Sequence, residues 1–193
     1  MLANVQARLQ RWATGRNVLI FLVLFLVFEI AVLPLAAGKI QELSAAPNGG
    51  PLDLSGGLSP ADTYARLTAY GPHGRPFYLI IELTVDVLFP ITYGLFFSLT
   101  LALIFQRAFA AGSGMHRWIM VPLLGMLSDF VENIGIVTML LAYPTEVGAA
   151  AVLTRIMTLV KWGCTLASVV LIIIGVVALV RQRRAARPGP TSA

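Results

Sequence analysis

Four stretches of predominantly apolar residues, near 17–37, 77–105, 118–143 and 156–180, constrain this chain more than any other feature. Each approaches or exceeds the ~20 residues that carry a helix across ~30 Å of hydrocarbon. A segment in lipid must satisfy its own backbone hydrogen bonds, and runs of this length do so as helices. The sequence predicts an all-α integral membrane protein, a four-transmembrane-helix bundle forming a single membrane domain over 1–193. Composition agrees. Only 12% of residues are charged, against about 25% in soluble domains, too few to cover a water-facing surface.

The net charge of +5 is distributed unevenly. Arg8, Arg11 and Arg16 precede the first run, Arg107 and Arg117 bracket the second connection, and Arg181, Arg183, Arg184 and Arg187 follow the last run. No acid lies in those segments, so the positive-inside rule places both termini in the cytoplasm, most simply across a bacterial cytoplasmic (inner) membrane. The charge is thus topology, and no nucleic-acid-binding motif accompanies it. The first run is longer than a cleavable signal's core and contains Glu29, so a retained signal-anchor helix is expected. The single cysteine, Cys164, falls inside the fourth run and offers neither a disulfide nor a metal pair.

Residues 38–76 form the long outer connection. Its first half, through 58, is rich in Gly, Pro and Ser and reads as a flexible loop. A short extracytoplasmic amphipathic helix should follow: Ser59 can cap it, Pro60 suits its first position, and Gly71-Pro72 ends it. Two placements are open for Tyr64, Leu67 and Tyr70: the headgroup level, which Tyr favours, or a surface helix that simply shortens the loop. The second and third spans form a hairpin, and 185–193 read as a disordered tail.

Five of the nine acids lie inside the spans, namely Glu29, Glu82, Asp86, Asp129 and Glu132, joined by one base, Lys161. Each such residue costs ~2.5–3.5 kcal/mol at a helix centre, so they should face one another or a wet cavity. At ~1.5 Å per residue all six sit between about 8 and 20 Å below the outer ends of their spans. Glu82 and Asp86 share a face at i, i+4, continued by Pro90 and Tyr93. Asp129, Glu132 and Asn133 share another. Thr154, Thr158, Lys161, Thr165 and Ser168 form a polar seam suited to helix packing. Pro90 should free a backbone carbonyl near Asp86, and Asn133 can orient a carboxylate or a ligand oxygen. Five carboxyls against one ammonium in low dielectric cannot all ionise, so some should hold protons.

Intramembrane ionisable groups point to function. The expected ligand-binding set is Glu29, Glu82, Asp86, Tyr93, Asp129, Glu132, Asn133 and Lys161, with Asp86, Asp129 and Glu132 the candidates for any catalysis. A polar site deep in an apolar pocket suits a small amphipathic lipid, and paired carboxyls could shuttle a proton as a double-bond isomerase does. The alternatives are a proton or cation relay, or a structural subunit whose charges form an interhelical network. Whether the protein is an enzyme is left open. His73 and His116 are expected on opposite sides of the membrane and no serine sits in a nucleophile elbow, which disfavours hydrolase chemistry. No cofactor and no metal are expected. The expected partners are membrane lipid and a small hydrophobic ligand, with homo-oligomerisation open and no nucleic acid.

Two resemblances add to this. IIELTVDVLFPITYGLFF, residues 80–97, resembles the second helix of EXPERA-domain proteins, the sterol isomerase and sigma-2 receptor superfamily. FEIAVLP at 28–34 is similar to the acid-then-proline pattern of their first helix. The likeness implies a sterol-type ligand with Glu29 and Glu82 as its acids, but the DFVEN segment of the third helix departs from it. The whole chain resembles a bacterial four-span family of unassigned function with an LDL…SP…G…GR…Y outer segment, a D…FP…Y second helix and a D-x-x-E-N third helix. Here those pieces are 52–54, Ser59-Pro60, Gly74-Arg75, Tyr78, Asp86, Phe89-Pro90, Tyr93, Asp129, Glu132 and Asn133.

Overall fold

The computed structural model describes residues 2–44, 50–54 and 59–185. The expected tail past Ala185 lies outside the described residues, as do 45–49 and 55–58 of the long connection. Helix α1 (Leu2–Trp12) precedes α2 (Gly15–Val27), a π-helical turn (Phe28–Val32) and α3 (Leu33–Leu43). The short α4 (Pro60–Ala69) leads into α5 (Gly71–Ala108). A 3₁₀ turn (Gly114–Met120) runs into α6 (Val121–Ala142), and α7 (Gly148–Ala185) follows. Among the described residues there is no strand.

Four helical units are long and apolar enough to cross a membrane: Gly15–Leu43, Gly71–Ala108, Gly114–Ala142 and Gly148–Ala185. They extend beyond the apolar runs because helical structure continues through polar flanks. α5 and α7, 38 residues each, reach roughly 57 Å at 1.5 Å per residue. The π turn has a local cause. Pro34 has no N–H for the Ile30 carbonyl, and the turn before it widens so that the Leu33 N–H bonds back to Phe28.

The N-terminal helix was not foreseen. α1 folds back on the end of the bundle that carries Arg107, Arg117 and the arginines of α7. Leu9 and Ala13 are buried there with Leu99, Leu101, Phe105, Ile119 and Leu171. Gln106 Nε2 donates to the Gln10 carbonyl at 2.7 Å, and Gln182 Nε2 donates to the Ala108 carbonyl at 2.8 Å. His116 is buried at this end, with Nε2 3.1 Å from the Ala110 carbonyl and Nδ1 3.3 Å from Gln10 Nε2. An Nε2–H tautomer satisfies both contacts, a structural role for this histidine.

α6 and α7 pack closely along the predicted seam, with Thr154, Thr158, Lys161 and Ser168 all buried. Close approach is possible because Gly135 faces the Thr154 side chain and Gly125 faces Cys164, the small-residue contact that membrane helices favour. The first spanning helix is peripheral. Nothing in α2 is buried, and its best contact is the stacking of Phe25 on Phe89 and Phe96 of α5.

At the opposite end from the arginines, α4 forms as its cap signals predicted. The Ser59 hydroxyl accepts the Asp62 N–H and donates to Asp62 Oδ2 at 2.6 Å, closing the first turn reciprocally. Ser59→Ala should therefore cost about 1 kcal/mol, read as a lower melting midpoint with the helical circular-dichroism signal retained. Gly71, at φ +67°, stops the helix as expected. It opens no loop, however: α5 begins at once, with the Gly74 N–H on the Tyr70 carbonyl.

The headgroup placement of Tyr64, Leu67 and Tyr70 needs correction. All three are buried in protein, packed with Ile40, Leu52, Tyr78, Ile136, Met139 and Ala151. The Tyr64 hydroxyl accepts the Val147 N–H, and Tyr143 OH donates to Thr68 at 3.2 Å. The apolar face of α4 thus covers the end of the α6–α7 hairpin, because protein there buries it more completely than an interface would. Burial pushes the Tyr70 phenol well above its ordinary pKa, which keeps it a hydrogen-bond donor.

Candidate functional site

Lys161, in the middle of the polar seam of α7, is the centre of the charged layer. Its Nζ lies 2.6 Å from Glu132 Oε2, 3.4 Å from Asp129 Oδ1 and 3.7 Å from Asp53 Oδ2. The Glu132 contact is the shortest of the three ion pairs, and the ammonium also donates a hydrogen bond to Asp129. Glu132 and Asp129 stand one helical turn apart on α6, so a single ammonium reaches both. Their other oxygens are also engaged. Tyr93 OH donates to Asp129 Oδ2 at 3.1 Å, and Thr158 Oγ1 lies 2.6 Å from Glu132 Oε1. The same hydroxyl lies 2.9 Å from the Thr154 carbonyl; with one proton it serves one acceptor at a time. A buried charge cluster is tolerable only when its members are paired in this way.

Asn133 does something other than orient a carboxylate. Its Nδ2 donates at 2.6 Å to the backbone carbonyl of Asp86. That is the carbonyl four residues before Pro90, which has no N–H to return to it. One helix's proline vacancy is filled by the next helix's amide. The Asp86 side chain, half-buried, has Asp53, Asp129, Lys161 and Glu132 as electrostatic neighbours. One turn away Glu82 is 2% exposed, with Oε2 lacking a hydrogen-bond partner among the described residues. Its neighbour one turn back on the same helix is the buried Tyr78.

The layer receives a member that the sequence reading did not include. Residues 50–54, expected to be flexible loop, are folded into the bundle. The Leu52 N–H donates to Tyr78 OH at 3.0 Å, and the Leu52 side chain is 6% exposed. Tyr70 OH and Arg66 Nη1 both donate to the Gly50 carbonyl, at 2.8 and 3.2 Å. The buried edge-to-face pair Tyr70–Tyr78, centroids 5.3 Å apart, is the anvil for this segment. Thus held, the segment delivers Asp53 to Lys161. The only signal for it was the LDL piece of the bacterial resemblance, an acid between two leucines in a Gly- and Pro-rich stretch.

Glu29 does not join the layer. It is exposed, and among the described residues it has no ion-pair partner. The peripheral position of the first spanning helix explains this: only the second, third and fourth spans pack around Lys161. Glu29 instead lies on the wall of a cavity of about 250 Å³ between the first spanning helix, α5, α7 and the inserted segment. Aromatic side chains, namely Phe25, Phe89, Tyr93, Phe97 and Trp162, line that wall together with Leu33, Pro34, Ala37 and Leu54. Its polar lining is Glu29, Asp53, Lys161 and Thr165. Glu82, Asp86, Asp129, Glu132 and Asn133 lie behind this lining.

Four helices long and apolar enough to cross a membrane, three of them packed around a buried ion-pair layer, give an all-helical fold of membrane-protein type. Compared with protein-family models, curated proteins and solved structures, the chain matches none. Function therefore has to be argued from the site. No group of three or more His, Cys, Asp or Glu side chains is arranged to hold a metal ion among the described residues.

Proposed function

We propose that this protein binds a small lipid-like molecule, of sterol or isoprenoid type, in the cavity beside Lys161. The observation that carries this reading is the cavity itself: a mostly apolar wall of aromatic and aliphatic side chains with a charged pair, Lys161 and Asp53, on one side. That is the composition of a site for an amphipathic ligand. The gap between the peripheral first helix and α7 gives such a molecule lateral access from the bilayer. Both termini then lie in the cytoplasm of a bacterial cell, with the protein in its inner membrane, as the arginine-rich end of the bundle supports.

Proton-transfer chemistry has less support, since Asp86, Asp129 and Glu132 are not on the cavity wall. A transmembrane proton or cation relay has less still, because Leu99, Leu101, Phe105, Ile119 and Leu171 pack an apolar core at the arginine end. The network that joins α6, α7 and the inserted segment through Lys161 favours one second reading, a structural role for the charges.

Ala37→Trp separates the two, because it fills the cavity without replacing any member of an ion pair. Wild type purified in mild detergent should carry a small amphiphile identifiable by mass spectrometry. The variant should lose it while melting within about 2 °C of wild type. An unchanged lipid complement in the variant would remove the cavity from consideration, and no bound amphiphile in either protein would leave the structural reading.

A further inference from the structure

The polar side of the cavity already holds a carboxylate that differs from its neighbours. Asp129 and Glu132 sit on a spanning helix, are 5% and 0% exposed, and take hydrogen bonds from Tyr93 and Thr158. Asp53 sits on the non-helical segment 50–54 and is 26% exposed. At 3.7 Å it is the most distant of the three acids paired with Lys161. The segment's anchors are elsewhere, in Tyr70, Arg66 and Tyr78, so the Asp53 side chain can turn away without unseating its backbone. Asp53 and Lys161 both line the cavity, and among the described residues Lys161 is its only cation.

We propose that Asp53 is a built-in counter-ion occupying the seat of a ligand head group, and that the cavity takes a single-chain amphiphile whose carboxylate displaces Asp53 from Lys161. This rests on the lipid-binding reading above and narrows its ligand to a single chain with an acidic head, in place of a sterol with its neutral hydroxyl. Exchanging one carboxylate for another leaves the charge of the layer unchanged, which matters where three further acids crowd the same ammonium or its neighbours. A cationic head would meet Lys161 on the same wall, and a neutral head has nothing to offer in place of Asp53. Glu29, the other acid on the wall, belongs to the peripheral first helix and forms no ion pair with Lys161. At about 250 Å³ the cavity is smaller than the ~300–1,000 Å³ of typical ligand pockets. That suits one chain, with Phe89, Phe97 and Trp162 against it.

Trp162 makes the proposal measurable. With Trp12 and Trp118 changed to phenylalanine it is the sole indole. Protein in unbrominated lipid nanodiscs is titrated with dibromostearate, dibromostearyl alcohol and dibromostearylamine, with quenching as the readout. The acid should quench saturably and bind about tenfold tighter than the alcohol or the amine. Asp53→Asn should tighten the acid about tenfold further while leaving the alcohol unchanged. Lys161→Gln should abolish the preference; if that variant does not fold, the head-group series and Asp53→Asn still decide. Weaker acid binding in Asp53→Asn, or tighter binding of the amine, overturns the proposal. Equal binding of acid and alcohol overturns the carboxylate head but leaves lipid binding standing. No saturable quenching by any of the three overturns the single-chain ligand and leaves the sterol-type reading to the mass-spectrometric test.

Discussion

Lys161→Met is expected to lower the melting midpoint in detergent by roughly 6–20 °C, the equivalent of about 3–5 kcal/mol. The side chain is 10% exposed and is the partner of Glu132, Asp129 and Asp53 together. Methionine fills much of the same volume, so the loss is electrostatic: acids buried around an ammonium are left around a thioether. Breaking one side of a buried pair costs more than replacing both sides, because the remaining charge stays desolvated. The double variant Lys161→Met/Glu132→Gln should therefore recover at least about half of the loss, although it departs further from the natural sequence. Glu132 is the acid to neutralise, since its contact at 2.6 Å is the shortest and its side chain is fully buried. A single variant that melts within about 1 °C of wild type would show that the ion-pair layer carries no stability.

Asn133→Ala should cost about 1–3 kcal/mol, and that cost should depend on Pro90. The amide donates at 2.6 Å to the Asp86 carbonyl, which Pro90 leaves without its helical partner. Alanine at 133 strands a buried acceptor. Alanine at 90 restores the N–H that would satisfy it from within α5. In the Pro90→Ala background the Asn133 substitution should cost under about 1 kcal/mol, a coupling that a double-mutant cycle measures directly. Equal costs in both backgrounds would mean that Asn133 acts through something other than this carbonyl.

How far the site was legible follows from where its parts lie. Lys161, Asp129 and Glu132 could be grouped from spacing alone, since helical periodicity puts each on a polar face and hydropathy puts them at a similar depth. Pro90 announced a free carbonyl by its missing N–H, although its occupant, Asn133, stands on another helix. Glu29 was legible as an intramembrane acid and not as an outlier, because nothing local tells which spanning helix will pack at the edge. Tyr64, Leu67 and Tyr70 were legible as one apolar face, but a face shows only that it will be covered. Here the α6–α7 hairpin and the top of α5 cover it.

Asp53 was the hardest to anticipate. Its segment has no periodicity, and its composition resembles that of any polar loop. Its place depends on Tyr70 and Tyr78 meeting edge to face and offering hydroxyls at the right height. Four crossing helices, a charged layer within them and an arginine-rich end were determined by the sequence alone, because hydropathy, helical period and charge position act along the chain. Only the tertiary structure decided that Glu29 stays on a cavity wall, that Asn133 serves a proline's vacancy and that a loop aspartate completes the layer around Lys161. Those outcomes are contacts between distant segments, and they exist only once the helices have packed.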